Sequence, residues 1–386
     1  MLKRLVVGAL LLLALPYVRS AIYRFPEPRP FTGPAFFNPY DGGGTSWQRA
    51  NLHAHAEAWG GLTNGQQTPA DIVRRYRGIG YDVPGISDYH RITRVAGEDV
   101  LPLYEHGYNL AKTHRLVIGA RRVSWLDFPL WQSLSHKQIV IDSAAASAEF
   151  VALAHPATGY SHDDLRRLTG YHALEIVNGP HPAMPYWDAA LSSGHPVWGI
   201  ANDDTHDLRN AGRLGVAWTM IDAPSTKADD LVAALKAGRS YAVWRSNQQA
   251  AAQDSALAEV HFSNGTLSVS SVGDPATYVF VGQHGSVRKT IRGVHAASYT
   301  FTPEDTYIRT IIQTPRTEMF LNPVFRYDGA TLPSPRATYD MGGTWTLRGA
   351  AMATFGLVWV TWRRRLTVRR REVVAVPIAT GDRRPA

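Results

Sequence analysis

Between residues 46 and 245 short apolar runs alternate with helix-like segments, and run after run ends in histidine or a carboxylate. No other feature of the chain constrains its fold as much. "TPADIVRRYRGIG" has Thr68 as N-cap, Pro69 at the first helical position, Asp71 three residues after the cap, and Gly78 as the stop. It leads into "YDVPGISDYH", a strand ending in polar residues. "SHDDLRRLTG" repeats the capped pattern with Ser161, Asp164 and Gly170, between the apolar runs "FVALAHPATG" and "YHALEIVNG". "HPVWGIANDDTH" and "STKADDLVAALKAGRSYAVW" extend the series. Alternation of this kind predicts a parallel α/β architecture, whose sites collect at the carboxyl ends of the strands. A polar stretch, "SNQQAAAQDSA" (246–256), then reads as a linker, and the period changes to two. Residues 257–330 predict a small antiparallel β-sandwich, with hairpin turns at Asn264-Gly265 and His284-Gly285.

The strand-end residues are the candidates for chemistry: His53 and His55, Asp88 and His90, His155, Glu175, then Asp203, Asp204 and His206. In an extended chain residues i and i+2 point to one face, so the imidazoles of "NLHAHAEAWGG" project together. Imidazole and carboxylate ligands without thiolates suit divalent Zn, Mn or Fe. Such a centre lowers the pKa of a bridging water and clamps a phosphoryl or carbonyl oxygen.

The order HxH (His53, His55), "GYDVPGISDYH", "ALAHP", "ALEIVNG" and "GIANDDTH" resembles the PHP (polymerase and histidinol phosphatase) domain over residues 48–245. The resemblance implies a distorted (β/α)7 TIM-like barrel over 46–245 that holds one to three metal ions and hydrolyses phosphoesters. It matches His53 and His55 to the first ligand pair, His155 to the histidine before Pro, and Asp204 and His206 to the final Asp-x-His; with the strand-end residues Asp88, His90 and Glu175 they make up the expected metal site, Asp204 also serving catalysis. Three departures stand out. Tyr89 separates Asp88 from His90 where the family has Asp-His. "VIGARRVSW" places Arg121 where the family has a bridging glutamate, and no aspartate follows the HxH pair, Glu57 alone being near. Glu105, His106 and His136 are candidates to compensate, while Arg121 or Arg122 could bind a substrate anion, Arg121 then acting in catalysis.

The net charge of +8 belongs to Lys3, Arg4 and the arginine-rich tail after Trp362, which leaves residues 5–362 formally neutral. A basic body that grips nucleic acid is therefore not expected. The charged ends flank apolar runs. Residues 1–21 read as a signal peptide or N-terminal anchor, 344–362 as a transmembrane helix, and 363–386 as a basic cytoplasmic tail. These ends predict a membrane-anchored protein whose main domains are extracytoplasmic, at the periplasm or cell surface, with lipid contact through the C-terminal helix. The function expected is a metal-dependent hydrolase of small phosphoesters or other anions. The alternative is a degenerate barrel kept as a non-catalytic binding or structural module.

Overall fold

The computed structural model describes residue 5 and residues 13–44, 46–249 and 253–374. They fall into two units, 23–338 and a second that combines the N-terminal residues through 22 with those from 339 onward. In the larger unit nine strands carry the first part of the fold. They are β1 (Trp47–Asn51), β2 (Val83–Pro84), β3 (Leu103–His106), β4 (Arg115–Ala120), β5 (Ala148–Leu153), β6 (Ala173–Asn178), β7 (Trp198–Asn202), β8 (Ala217–Asp222) and β9 (Ser240–Trp244). Five helices intervene: α1 (Pro69–Gly78), α2 (Leu134–Ala145), α3 (His162–Arg167), α4 (Met184–Leu191) and α5 (Ala228–Lys236).

The local reading of the helices holds at α1 and α3. Thr68 with Asp71, and Ser161 with Asp164, form reciprocal capping boxes, each satisfying two backbone or side-chain donors of the first turn. At α5 the N-cap is Lys227, which makes no side-chain cap. The neighbouring Ser225 hydroxyl donates instead to Asp230 (2.5 Å).

The strands do not form the expected barrel. One sheet runs β7-β6-β5-β4-β3, and no sheet closes on itself. β7, β6 and β5 are parallel, but β4 is antiparallel to both β5 and β3. The cause is visible between β3 and β4: only residues 107–114 join them, too few for a crossover helix, so the chain doubles back. A second sheet holds β1 and β2, parallel to each other, beside antiparallel β8 and β9. Among the described residues, single bridges at Ala54–Thr205 and Tyr89–Glu105 tie the rims of the two sheets by ladder pairing.

The antiparallel strands after the linker are β10 (Ala256–Ser263), β11 (Thr266–Val272), β12 (Ala276–Val281), β13 (Val287–Val294), β14 (Ala296–Thr300), β15 (Tyr307–Gln313), β16 (Glu318–Leu321) and β17 (Val324–Tyr327). The β10–β11 hairpin turns on Asn264 and Gly265, both at positive φ as a two-residue turn of this kind demands. Three of them, β10, β11 and β14, form a sheet of their own, whereas β16 pairs with β9, so the second sheet runs on through β15, β12 and β13. A buried ion pair, Arg309 donating twice to Asp188 at 2.8 Å, joins β15 to α4.

The smaller unit contains helix α6 (Met341–Val374), whose 34 residues run on from the apolar stretch into the arginines. Among the described residues no helix is long and apolar enough to cross a membrane. Arg348, the glycines at 349 and 356 and the threonines at 344, 346, 354 and 361 dilute the apolar run below what hydrocarbon requires. The transmembrane span expected at 344–362 is thus not supported. The membrane anchor expected from that span is not supported either. Most of the segment read as a signal peptide, and the end of the tail from 375, lie outside the described residues.

Candidate metal centre

Two asparagines set the site. Asn51, at the end of β1, accepts from the Asp203 amide (2.9 Å), and Asn202, at the end of β7, accepts from the Leu52 amide (2.7 Å). This reciprocal clasp, continued by the His55 amide donating to the Thr205 carbonyl (2.9 Å), lays the segments after β1 and β7 side by side. His53 and His55 therefore face Asp204 and His206. His53 Nε2 lies 3.2 Å from Asp204 Oδ1, and His55 Nε2 lies 3.4 Å from the same oxygen.

Glu105 completes the centre from β3. Its Oε2 is 3.3 Å from His53 Nε2 and 3.1 Å from His55 Nε2. Its Oε1 is 2.8 Å from His114 Nδ1 and 3.1 Å from His155 Nε2. One fully buried carboxylate thus touches four imidazoles. Glu175 stands behind them: it accepts from Asn202 (2.9 Å), Asn178 (2.9 Å) and the His155 amide (2.8 Å), and its Oε1 lies 2.9 Å from His53 Nδ1. A carboxylate bound to the far nitrogen of a ligand histidine fixes the ring's tautomer and aim.

The backbone is held in an uncommon conformation at the same place. His155 and Asp204 both have positive φ, 28° and 49°. Such conformations persist in non-glycine residues only where the surroundings over-determine them, and they concentrate at functional sites.

The donor set fits a metal ion. His53, His55 and Glu105; His53, His155 and Asp204; His55, Asp204 and His206; and Glu105, His114 and His155 each bring three ligand atoms within 4.8 Å of one another. Two donors each about 2.1 Å from one ion lie about 3.0 to 3.4 Å apart for right-angled to tetrahedral geometry, and the contacts of His53, His55 and His155 with Glu105, and of His53 and His55 with Asp204, all fall in that range. Moreover His53 Nε2, His55 Nε2 and Glu105 Oε2 are buried with only these mutual short contacts and no well-directed hydrogen bond, and His206 Nε2 is buried with none. Burying such atoms costs stability unless something binds them.

The electrostatics agree. Burial pushes the His53 imidazole toward the neutral form, but the carboxylates of Asp204, Glu175 and Glu105 outweigh it and hold its pKa well above the ordinary value. Burial likewise opposes ionisation of Glu105, yet the facing His114 and His53 keep it well below the usual carboxylate range. Asp204 is held low in the same way, chiefly by His53 and His55 against its burial. His206 differs: burial and the charge of His55 push it down to about 4, which leaves it neutral and a ready ligand. The pocket is built to keep positive charge.

The structure brings together His53, His55, His155, Asp204 and His206, with Glu175 behind His53, and of the three compensating candidates it brings in Glu105. It does not bring in the remaining expected residues. Asp88 is buried but accepts from the Ala56 amide (2.7 Å) and the Thr93 hydroxyl, a structural role. His90 has its ring Nδ1 against the Ser124 carbonyl (3.1 Å) and accepts from the Gly107 amide at Nε2 (3.0 Å). His106 packs against His90, and His136 stacks on Phe128. Asp203 turns away to accept three backbone amides and the Tyr76 hydroxyl, its pKa raised to about 6 mainly by burial. Arg121 is exposed and pairs with Glu149, and Arg122 beside it is exposed too.

The reversal of β4 explains both Arg121 and the histidine that sequence reasoning missed. Ala120 pairs with Ala148 at the start of β5, whereas Arg115 pairs with Leu153, next to His155. The carboxyl end of β4, with Arg121, therefore lies at the far end of the sheet, and its amino end delivers His114 to the centre. The signal was present as "THRLVIGA", a histidine just before an apolar run instead of after it.

No family model matches the chain, and no curated protein does. Among solved structures, a two-domain protein from Bacteroides vulgatus containing a predicted PHP-like metal-dependent phosphoesterase aligns with 81% of this chain and 98% of its own. The TM-score is 0.39 and the identity 14%. That likeness is too remote to carry an assignment. The fold and site by themselves define a mixed α/β protein with a buried histidine–carboxylate cluster able to hold metal.

Proposed function

We propose that this protein is a metal-dependent hydrolase of small phosphoesters. The observation that carries the reading is Glu105, a buried carboxylate shared by two pairs of histidines, with Asp204 and His206 meeting the His53–His55 pair from the other side. His53, His55, His114, His155, His206, Glu105 and Asp204 would hold divalent ions, with Zn, Mn and Fe all suited to this donor set. Such ions would supply Lewis acidity, activating water and polarising a phosphoryl oxygen.

The chain's own residues do the rest. Glu175 and Asn178 fix the ligands: the Asn178 amide donates to Glu175 and, at 3.1 Å, to Asp204 Oδ2. Arg213 is the cation at the site. It donates to Asn178 Oδ1 (3.0 Å), stands 4.0 Å from Asp204 Oδ2, and keeps about a third of its side chain exposed. A guanidinium placed there can receive a substrate oxyanion, the task the sequence had suggested for Arg121. The test is hydrolysis of a panel of phosphoesters by the full chain loaded with each metal, read as phosphate released from monoesters and as alcohol or phenol released from diesters. The reading expects turnover that chelator abolishes and His53→Ala with His55→Ala eliminates. Metal-loaded protein that hydrolyses no ester, or turnover unchanged in the double variant, would overturn it.

A further inference from the structure

The centre is bordered by exposed aromatic rings that the proposed hydrolysis does not yet use. Tyr89 lies flat on the ligand His55, with ring centroids 4.6 Å apart and planes 19° apart, and meets His114 edge-on. The backbone carbonyl of Tyr89 accepts from the Trp59 indole nitrogen (2.7 Å). Trp59 in turn meets Trp125 at 5.9 Å with planes 70° apart, and Trp125 stacks on His90. Trp59 and Trp125 are 45% and 58% exposed, which is a large indole surface to leave in water beside a buried polar centre. Trp59 also has φ of 54°, a left-handed conformation that a bulky residue rarely adopts.

Two indoles at 70° make a corner. A flat guest can lie face-on to one ring and edge-on to the other, the two arrangements aromatic rings prefer. The rim is continuous with the centre through Tyr89, which lies on His55, so a guest in the corner can direct an anionic group toward the ligand cluster. We propose that Trp59 and Trp125 form a stacking platform that selects phosphoesters carrying a flat aromatic ring, aryl or nucleobase, on their organic side. The proposal rests on the hydrolase reading and names its substrate class.

The test uses two phosphonates, whose C–P bond is not hydrolysed, so that binding is read without turnover. The full chain is loaded with manganese and titrated calorimetrically with phenylphosphonate and with methylphosphonate. Phenylphosphonate should bind about five- to hundred-and-fiftyfold more tightly, the range of stacking on an aromatic side chain. Trp59→Ala with Trp125→Ala should reduce the preference below about twofold while metal content and methylphosphonate affinity stay unchanged. Trp59→Phe with Trp125→Phe, which keeps the rings, should retain it. Equal affinity of the native chain for both phosphonates would overturn the platform and leave the hydrolase reading standing. So would a preference that survives in the alanine variant. A metal-loaded chain that binds neither phosphonate would overturn the hydrolase reading and the platform with it. A nucleoside monophosphate titrated beside phenylphosphonate then tells nucleobase from aryl ring.

Discussion

Glu105→Gln is the substitution that presses hardest on this account. The change keeps the size of the side chain and removes one charge, from a carboxylate whose oxygens lie 2.8, 3.1, 3.1 and 3.3 Å from four imidazole nitrogens. At such distances a unit charge pair is worth about 5 kcal/mol at an effective dielectric near 20. The amide oxygen retains part of that attraction, and relaxation removes more, so about 2 to 3 kcal/mol of metal binding should be lost, roughly a thirty- to hundred-and-fiftyfold weaker Kd. Because Glu105 belongs to two of the ligand groups, stoichiometry should fall as well as affinity. The assay is competition with a chromophoric chelator, alongside thermal unfolding with and without metal. At a metal concentration about a hundred times the native Kd, linkage stabilises the native chain by about 2.7 kcal/mol and a variant bound a hundredfold more weakly by about 0.4. Unchanged stoichiometry, with a Kd within threefold of the native value, would show that Glu105 is not a ligand and refute the reasoning.

Asp88→Asn should lower the unfolding free energy by about 1 to 3 kcal/mol, as expected for a disturbed buried acceptor, yet leave metal stoichiometry intact. Denaturant titration and elemental analysis on one sample would show it. Arg121→Ala should change neither metal content nor phosphoester turnover, because its partner is Glu149 at the far end of the sheet. Steady-state kinetics decide that point. His195 is buried with its pKa pushed down to about 4 by burial, below the roughly 6.5 of a free imidazole. The folded chain thus binds fewer protons there than the unfolded one. The stability this group contributes is present above about pH 6.5 and is lost as pH falls toward 4, about 2 kcal/mol of it between pH 7 and 5. His195→Asn should remove that part of the pH dependence in urea unfolding.

What could be read from the sequence was local. Thr68 with Asp71 and Ser161 with Asp164 mark their helices because capping is decided within four residues. The Asn264-Gly265 turn is equally self-contained. His53 and His55 share a face because extended backbone makes them do so, and Asp204 with His206 meets them through an asparagine clasp that "NLHAH" and "ANDDTH" already contain. Strand direction was not legible. It depends on whether the connection from β3 to β4 can carry a crossover, and taking β4 as parallel put Arg121 at the centre and left His114 out. Asp88 and Asp203 show the same limit in another form. A carboxylate after a strand looks alike in sequence whether it meets an ion or caps backbone amides, and only the fold tells the two apart. The span at 344–362 failed on degree: a run low in charge is not yet apolar enough for lipid.

Metal content per chain, measured by elemental analysis on the purified full-length protein beside the His53→Ala, His55→Ala double variant, tests the central claim most directly. The account predicts at least one equivalent of Zn, Mn or Fe in the native chain, with a marked loss in the variant. A native chain that holds no metal, takes up none on reconstitution and does not differ from the variant would contradict it.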